Sequence, residues 1–233
     1  MKNNLKAFTL AEVLITLGII GIVAAMTIPT LVTKCREQII VNQLHKTHAV
    51  LNQAFKLAVA DYDGIEGWDI GPNSDTTAGA VKLYNMFRPY LKLGEDCGSQ
   101  SGCFYSGTYK SLFGNTISWH PRTWGRYARG RLLDGTSLAF WSNGSCREYR
   151  NILLCGAVYV DINGNQRPNQ SGVDYFEFII TPSGIIPATP SIDDEICQFR
   201  NTSNLNGASC TGWILQNKNL DYLRRDISHE SPK

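Results

Sequence analysis

Residues 13–33 read VLITLGIIGIVAAMTIPTLVT and contain no charged side chain. At about 1.5 Å of rise per residue, a helix over this run is roughly 30 Å long, which equals the hydrocarbon thickness of a bilayer. Lys2 and Lys6 precede the run as a short basic leader. The segment therefore predicts a membrane-spanning helix close to the N-terminus.

A secretory signal peptide is the alternative to a permanent membrane anchor. The apolar region of a signal peptide normally has about 7–15 residues, and the run in this chain is longer. Glu12 directly precedes it, and a carboxylate inside a membrane helix costs on the order of 2.5–3.5 kcal/mol and usually marks a functional position with a partner. Both observations favour an anchor whose carboxylate has a role.

The residues around Glu12 read KAFTLAEVL from Lys6 to Leu14. They resemble the processing motif of type IV pilins and type II secretion pseudopilins, in which a short basic leader ends at a phenylalanine and a glutamate is the fifth residue after the cut. The resemblance extends from Lys6 to about Leu31 and includes Pro29. It departs at the residue before the cut, which is usually glycine in the family and is Ala7 in this chain.

The resemblance implies that prepilin peptidase cleaves between Ala7 and Phe8 and methylates the new amine of Phe8. It also implies an assembly role for Glu12, whose carboxylate would meet the Phe8 ammonium of a neighbouring subunit in a filament. In a low-dielectric environment that pairing removes two costly charges at once. Ala7 and Phe8 are therefore the expected processing residues, and Glu12 is the expected assembly residue.

The function implied by the resemblance is that of a pilin-like subunit, either a pseudopilin or a minor pilin, in a type II secretion pseudopilus or a type IV pilus. Its implied partners are prepilin peptidase, other pilin or pseudopilin subunits, the inner-membrane assembly platform and the inner membrane. The chain would cross the bacterial inner membrane once, with a cytoplasmic N-terminus and a periplasmic C-terminal domain, or stand at the cell surface in a filament. The alternatives are a DNA-binding minor pilin in DNA uptake and a membrane-anchored periplasmic enzyme.

Beyond the apolar run, a second pattern predicts that the first helix continues as an amphipathic helix. Apolar side chains and one threonine recur at steps of three and four residues and form one face; they are Ile40, Leu44, Thr47, Leu51, Phe55 and Ala58. The expected division of the chain is a leader at 1–7, a transmembrane half-helix at 8–33, an amphipathic half-helix at 34–60 and a periplasmic or extracellular globular domain at 61–233.

The remaining sequence favours a second helix and then antiparallel strands. Residues 77–93 have a helical apolar face, and residues 152–161 are a strand candidate. Asp134-Gly135 and the Pro-Ser-Gly sequence at 182–184 each separate two apolar runs, which is a hairpin pattern. The predicted fold class is α+β, with a long N-terminal helix packed on a small antiparallel β-sheet domain.

Charge and cysteine content narrow the function further. The chain has 22 Lys plus Arg and 20 Asp plus Glu, a net charge of +2, which excludes a bulk electrostatic nucleic-acid binder. Its sequence has no Gly-x-Ser-x-Gly, His-Glu-x-x-His or phosphate-loop motif, so we do not expect an enzyme. Six of the seven cysteines lie beyond residue 96, which suits an oxidising compartment.

These six cysteines allow 15 pairings. Proximity in sequence favours Cys97–Cys103, Cys146–Cys155 and Cys197–Cys210. Free buried thiols and a zinc site are the alternatives, although the sequence contains no Cys-x-x-Cys pair for zinc. Many pilins close a loop near the C-terminus with a disulfide, and the last pair resembles that loop.

Two further stretches offer candidate ligand sites. Asp161, Asn163, Asn165 and Asp174 place side-chain oxygens around a glycine, as in loops that wrap calcium. No bidentate glutamate closes the loop as in an EF-hand, so the alternative is a hairpin turn in which Asp and Asn cap backbone groups. No other cofactor is expected.

The second stretch, residues 119–131, contains four arginines interleaved with three aromatic residues and no acid. Arginine pairs with phosphate and aromatic rings stack on bases in single-strand binders, so this stretch is a candidate DNA contact; its residues are Arg122, Trp124, Arg126 and Arg129. The alternative is a solvated loop or strand whose arginines neutralise the acidic loop at 61–75.

Overall fold

The computed structural model describes residues 9–71, 74–117, 125–190, 197–204 and 206–227. The chain divides into two compact units, Met1–Ile39 and Ile40–Lys233. The first helix, α1 (Leu10–Tyr62), is continuous and contributes to both units.

In the first unit, α1 exposes its apolar side chains along its length. Leu10 and Met26 are 78% and 73% exposed. None of the most apolar 18-residue window of the helix is buried, and the helix is long and apolar enough to cross a membrane. Exposed apolar surface is unfavourable in water by about 25 cal/mol per Å² and is not penalised in lipid. The exposure therefore fits a segment surrounded by lipid.

In the second unit, α1 packs one face into the core. The predicted face is confirmed at five of its six positions, and Val41 is buried in place of the partly exposed Ile40. The spacing of three and four residues keeps these side chains on one side of the helix. The buried residues of this part of α1 are Val41, Leu44, Thr47, Leu51, Ala54, Phe55 and Ala58.

The rest of the second unit is built on a six-stranded sheet in which each strand is antiparallel to the next one in sequence. In the described residues two further α-helices accompany the sheet, and the predicted α+β class is confirmed. The elements are α2 (Thr77–Phe87), β1 (Leu93–Gly98), β2 (Ala128–Leu132), β3 (Ser137–Tyr149), β4 (Ile152–Asp161), β5 (Tyr175–Thr181), β6 (Gly184–Pro187) and α3 (Thr211–Asn217).

Both predicted hairpins are present in the sheet. The turn between β2 and β3 contains Gly135 at φ +92°, a backbone conformation that residues other than glycine rarely adopt. Asp134 Oδ1 accepts the backbone N–H of Thr136 across this turn at 3.1 Å. The turn between β5 and β6 closes with a hydrogen bond from Thr181 Oγ1 to the carbonyl of Gly184. Local turn chemistry therefore sets the register of these pairs.

The inner face of the sheet, defined by Phe140, Val158 and Phe178 on β3, β4 and β5, carries the main core with α1 and α2. The His48 ring of α1 stacks on Phe178 with ring centroids 5.4 Å apart. The ring centroids of Phe140 and of Phe87, at the end of α2, are 5.0 Å apart. Aromatic contacts of this kind add to area burial and hold both helices on the strands.

The outer face carries the alternate strand residues, among them Ala139, Ala157 and Tyr175. The segment at 99–117 covers one end of this face, where Tyr109 meets Tyr175 edge-on at 5.3 Å between ring centroids. Cys103, Phe104 and Ala208 belong to the same small core. Because this end is covered, polar groups that lie beneath it must find partners within the protein.

We expect Leu51→Ala to destabilise the second unit. Leu51 is fully buried, and truncating such a side chain to alanine costs about 2–5 kcal/mol. Leu57→Ala is the matched control on the same helix, because Leu57 is 43% exposed. Urea unfolding of the full chain in detergent, followed by near-UV circular dichroism, should show a lowered midpoint for Leu51→Ala alone. Equal midpoints for the two variants would contradict the packing of α1 in this core.

Candidate functional site

Glu12 lies in the first turn of α1 and bonds to Thr9 of the same chain. Its Oε2 accepts the backbone N–H of Thr9 at 2.9 Å and the Thr9 hydroxyl at 2.8 Å. In return, the Glu12 N–H donates to Thr9 Oγ1 at 3.2 Å. This reciprocal arrangement is a capping box, and it satisfies backbone donors that the helix itself leaves without acceptors. Ala7 and Phe8 lie outside the described residues.

Thr9 is a residue that the motif-based reasoning overlooked. The sequence Thr9-Leu-Ala-Glu12 is a capping-box pattern, so the contact between Thr9 and Glu12 could have been predicted from the sequence. The structure assigns the Glu12 carboxylate a partner within its own subunit. A contact between Glu12 and another subunit would therefore replace the hydrogen bonds from Thr9, because the Glu12 carboxylate already has hydrogen-bond donors in its own chain.

Three disulfides lie in the second unit, and they join the pairs that sequence proximity favours. Cys97–Cys103 joins the end of β1 to the covering segment, and Cys146–Cys155 bridges the neighbouring strands β3 and β4. Cys197–Cys210 closes a loop just before α3. Glu95 lies close to the first pair, but those two sulfurs are bonded to each other and are not thiolate ligands for zinc. Cys35 is a free, exposed thiol.

Asp174 organises the loop between β4 and β5. Its Oδ2 accepts the backbone N–H of Asn169 at 2.7 Å and the side-chain amide of Asn163 at 3.0 Å. Its Oδ1 accepts the backbone N–H of Gln170 at 2.6 Å. The carboxylate therefore gathers three donors and fixes the path of the loop, as the turn interpretation of this sequence expects.

Asp161 ends β4 beneath the covering segment and is fully buried. Its Oδ2 accepts the hydroxyl hydrogen of Tyr109 at 2.5 Å, and its Oδ1 accepts the backbone N–H of Asn163 at 3.2 Å. Burial, reinforced by repulsion from Asp174, raises the pKa of Asp161 to about 8. Burial also raises the pKa of Asp174. The pair therefore retains a proton around neutral pH.

The predicted calcium ligands are brought together only in part. Asp161, Asn163 and Asp174 share one hydrogen-bond network, whereas Asn165 Oδ1 accepts from Arg131 Nη2 at 3.2 Å. Most of the carboxylate lone pairs already accept protein donors. Among the described residues no donor reaches the buried Asn163 Oδ1, and a cation is one group that could bind this oxygen. Calcium binding at this loop stays a prediction.

Two arginines of the candidate DNA stretch, Arg126 and Arg129, are engaged within the protein. Arg126 forms an ion pair with Asp75, which agrees with the interpretation that arginine neutralises the acidic loop. Arg129 is 1% exposed, and its Nη1 donates to the carbonyls of Ser99 and Gln100 at 3.1 and 3.2 Å. A buried guanidinium that holds backbone carbonyls does not reach a phosphate chain, so this geometry gives the DNA prediction no support. Arg122 and Trp124, the other two predicted contacts, lie outside the described residues.

Comparison with known families singles out the N-terminus. The family model of the prokaryotic N-terminal methylation motif matches residues 2–28. The chain carries the prepilin motif of type IV pilins. The comparisons with curated proteins and with solved structures give no match.

The prepilin motif confirms the resemblance derived from the sequence around Glu12. It supports a pilin-like protein that prepilin peptidase processes and that assembles with other pilin subunits. Together with the apolar first part of α1, it fits a single-pass anchor in the inner membrane. The motif points to a structural subunit, a class that usually has no enzymatic activity.

We expect Asp161 to make the stability of the second unit depend on pH. Its pKa is about 8 in the folded chain, against 3.8 for an aspartate side chain in water, so the folded chain binds more protons between these values. The contribution of Asp161 to the free energy of unfolding should therefore fall as pH rises from about 4 to 8, by at most about 1.4 kcal/mol per pH unit. Urea unfolding at a series of pH values measures this slope.

Asp161→Asn should flatten the slope, because the amide does not titrate and the Tyr109 hydroxyl can accept as well as donate. An unchanged slope would contradict the role of Asp161.

Repeating the series at pH 8 with calcium or with EDTA tests the calcium prediction. A bound ion would stabilise the ionised pair in the original protein and not in Asp161→Asn.

Proposed function

We propose that this protein is a pseudopilin or minor pilin, assembled through α1 into a type II secretion pseudopilus or a type IV pilus. The observation that carries the proposal is the prepilin motif at the start of one continuous helix. The first part of that helix exposes apolar side chains, and its second part belongs to the core of a disulfide-bonded unit. Such a helix can be buried in lipid before assembly and among other subunits afterwards.

The proposed assembly contact joins Glu12 to Phe8 of a neighbouring subunit. Removal of residues 1–7 would create an ammonium on Phe8, one residue before the Thr9–Glu12 capping box. In the free subunit Thr9 satisfies the Glu12 carboxylate. In a filament the ammonium would replace the neutral hydroxyl contact with a charge-assisted hydrogen bond, which is stronger. Docking is then an exchange from a neutral donor to a charged one.

We propose the division 1–7, 8–33, 34–60 and 61–233 for leader, membrane half-helix, amphipathic half-helix and globular domain. Its support is the change of burial along α1, since Ile39 is exposed and Val41 is buried. The globular domain would lie in the periplasm or outside the cell. Three disulfides in the second unit support that side of the membrane, because disulfides persist in oxidising compartments.

Processing is the first test, and we expect the mature chain to begin with an N-methylated Phe8. N-terminal sequencing and intact mass of the protein from cells with prepilin peptidase should show this end. Cells without the peptidase should retain residues 1–7. Ala7→Gly, which restores the usual family residue, should be processed at least as well as the original chain. Cleavage after Ala25, or the same N-terminus in both strains, would contradict the proposal.

The second test concerns Glu12→Gln, which keeps the size of the side chain and removes its charge. Membrane insertion should be unchanged or improved, since burying an amide costs less than burying an ion. Recovery in sheared filaments should fall about 100-fold or more, because the buried Phe8 ammonium loses its counter-charge. Glu37→Gln on the same helix is the matched control. Normal incorporation of Glu12→Gln would rule out this contact.

A further inference from the structure

A hollow lies in the outer face of the sheet, away from the end that the segment at 99–117 covers. Its floor is Ala157 on β4, which pairs with Trp141 on β3 and with Ile179 on β5. A small side chain between two large ones leaves a cavity of about 400 Å³. Cavities of about 300–1,000 Å³ are the usual size of small-ligand sites.

The walls of the cavity are apolar and aromatic. Trp141 and Tyr159 line it together with the aliphatic side chains of Ile152 and Leu154. The Trp141 ring is held in place by a hydrogen bond from its Nε1 to Asp75 Oδ1 at 3.0 Å. A fixed aromatic wall beside aliphatic side chains suits a ligand with an apolar stem, and aromatic faces attract cations.

The charged residues of the cavity indicate which ligand charge it favours. Glu177 pairs with Tyr159 across β4 and β5 and is 4% exposed. Glu148 and Arg147 also line the cavity and are exposed. Among the described residues that line the cavity, two carboxylates and one guanidinium carry a formal net charge of −1, and the most deeply buried of the three is the carboxylate of Glu177. A positively charged ligand is therefore complementary to the charge of the cavity. This holds although Glu177 also has contacts within its own chain.

We propose that this cavity binds a lysine side chain presented by an extended segment of a partner protein. The four-carbon stem of lysine would lie over Ala157 beside Trp141, and the ammonium would point towards Glu177. Lysine combines an apolar stem with a charged head, which matches apolar walls around a carboxylate. Arg147 and Glu148 are exposed at the cavity, so a chain can reach its opening on that side. The proposal goes beyond the prepilin function and does not depend on it.

The test uses the full chain in phosphatidylcholine nanodiscs, whose lipid carries no net charge to attract the probe. The probe is a capped five-residue peptide with a central lysine between serines, and its matched control has norleucine in place of lysine. Titration calorimetry, with empty discs as the blank, should show binding of the lysine peptide. The norleucine peptide should bind at least about tenfold more weakly. Equal binding of the two, or no binding of the lysine peptide, would overturn the proposal.

Three variants make the test specific to the cavity. Glu177→Gln should weaken the lysine peptide at least about tenfold, and Ala157→Leu should abolish binding by filling the hollow. Arg147→Gln should strengthen binding, because it removes a like charge; weaker binding would indicate an anion site and overturn the proposal. Leu153→Ala is the control, since Leu153 is a neighbouring β4 residue that does not line the cavity.

Folding and self-association are checked in the same samples. Each variant should keep the near-UV circular dichroism of the original protein, and if Glu177→Gln does not, the norleucine comparison decides the question on the unaltered chain. Crosslinking in discs that hold two copies tests whether a second copy fills the cavity. Crosslinks that disappear in Ala157→Leu would identify the occupant as a second copy and overturn the proposal of a foreign partner.

Discussion

One continuous helix has to satisfy two different surroundings, and the rest of the structure depends on how α1 does so. Its first part exposes apolar side chains, so that part requires lipid or other subunits around it. Its second part buries a single face, so that part requires a sheet and neighbouring helices as partners. In the first part apolar residues surround the helix, whereas in the second part they follow one side of it and polar residues occupy the other.

Polar groups, as well as apolar packing, hold the covering segment on the outer face. Tyr109 bonds to the buried Asp161, and Arg129 bonds to the carbonyls of residues 99 and 100. The Cys97–Cys103 disulfide ties the same segment to β1. An unpaired polar group is costly in this low-dielectric setting, so the network resists partial opening. The outer face thus has one closed end and, at the other end, the hollow over Ala157.

The sequence predicted the parts of this fold that rest on local patterns. The helical period identified the buried face of α1, and turn residues identified both hairpins. It missed β1, whose sequence LGEDCG has no alternation of apolar residues, and it extended α2 to residue 93, whereas Pro89 ends it because proline cannot supply the helix N–H. Arg129 appeared to be a surface residue, since buried arginines are rare and two of its carbonyl partners, those of Ser99 and Gln100, lie about thirty residues away in sequence. Such long-range contacts have no local signature in one sequence.

The strand order of the sheet has a consequence for how the domain forms. Each strand pairs with the next one in sequence, so the order of the strands in space is their order of synthesis. A chain that enters the oxidising compartment from its membrane end can add strands one at a time without waiting for a distant partner. The disulfides also join residues that are close in sequence, because their cysteines are only 6, 9 and 13 residues apart. If the domain is exported from its membrane end, as proposed, each cysteine would meet its own partner soon after leaving the membrane, and this order would favour the native pairing over the other fourteen.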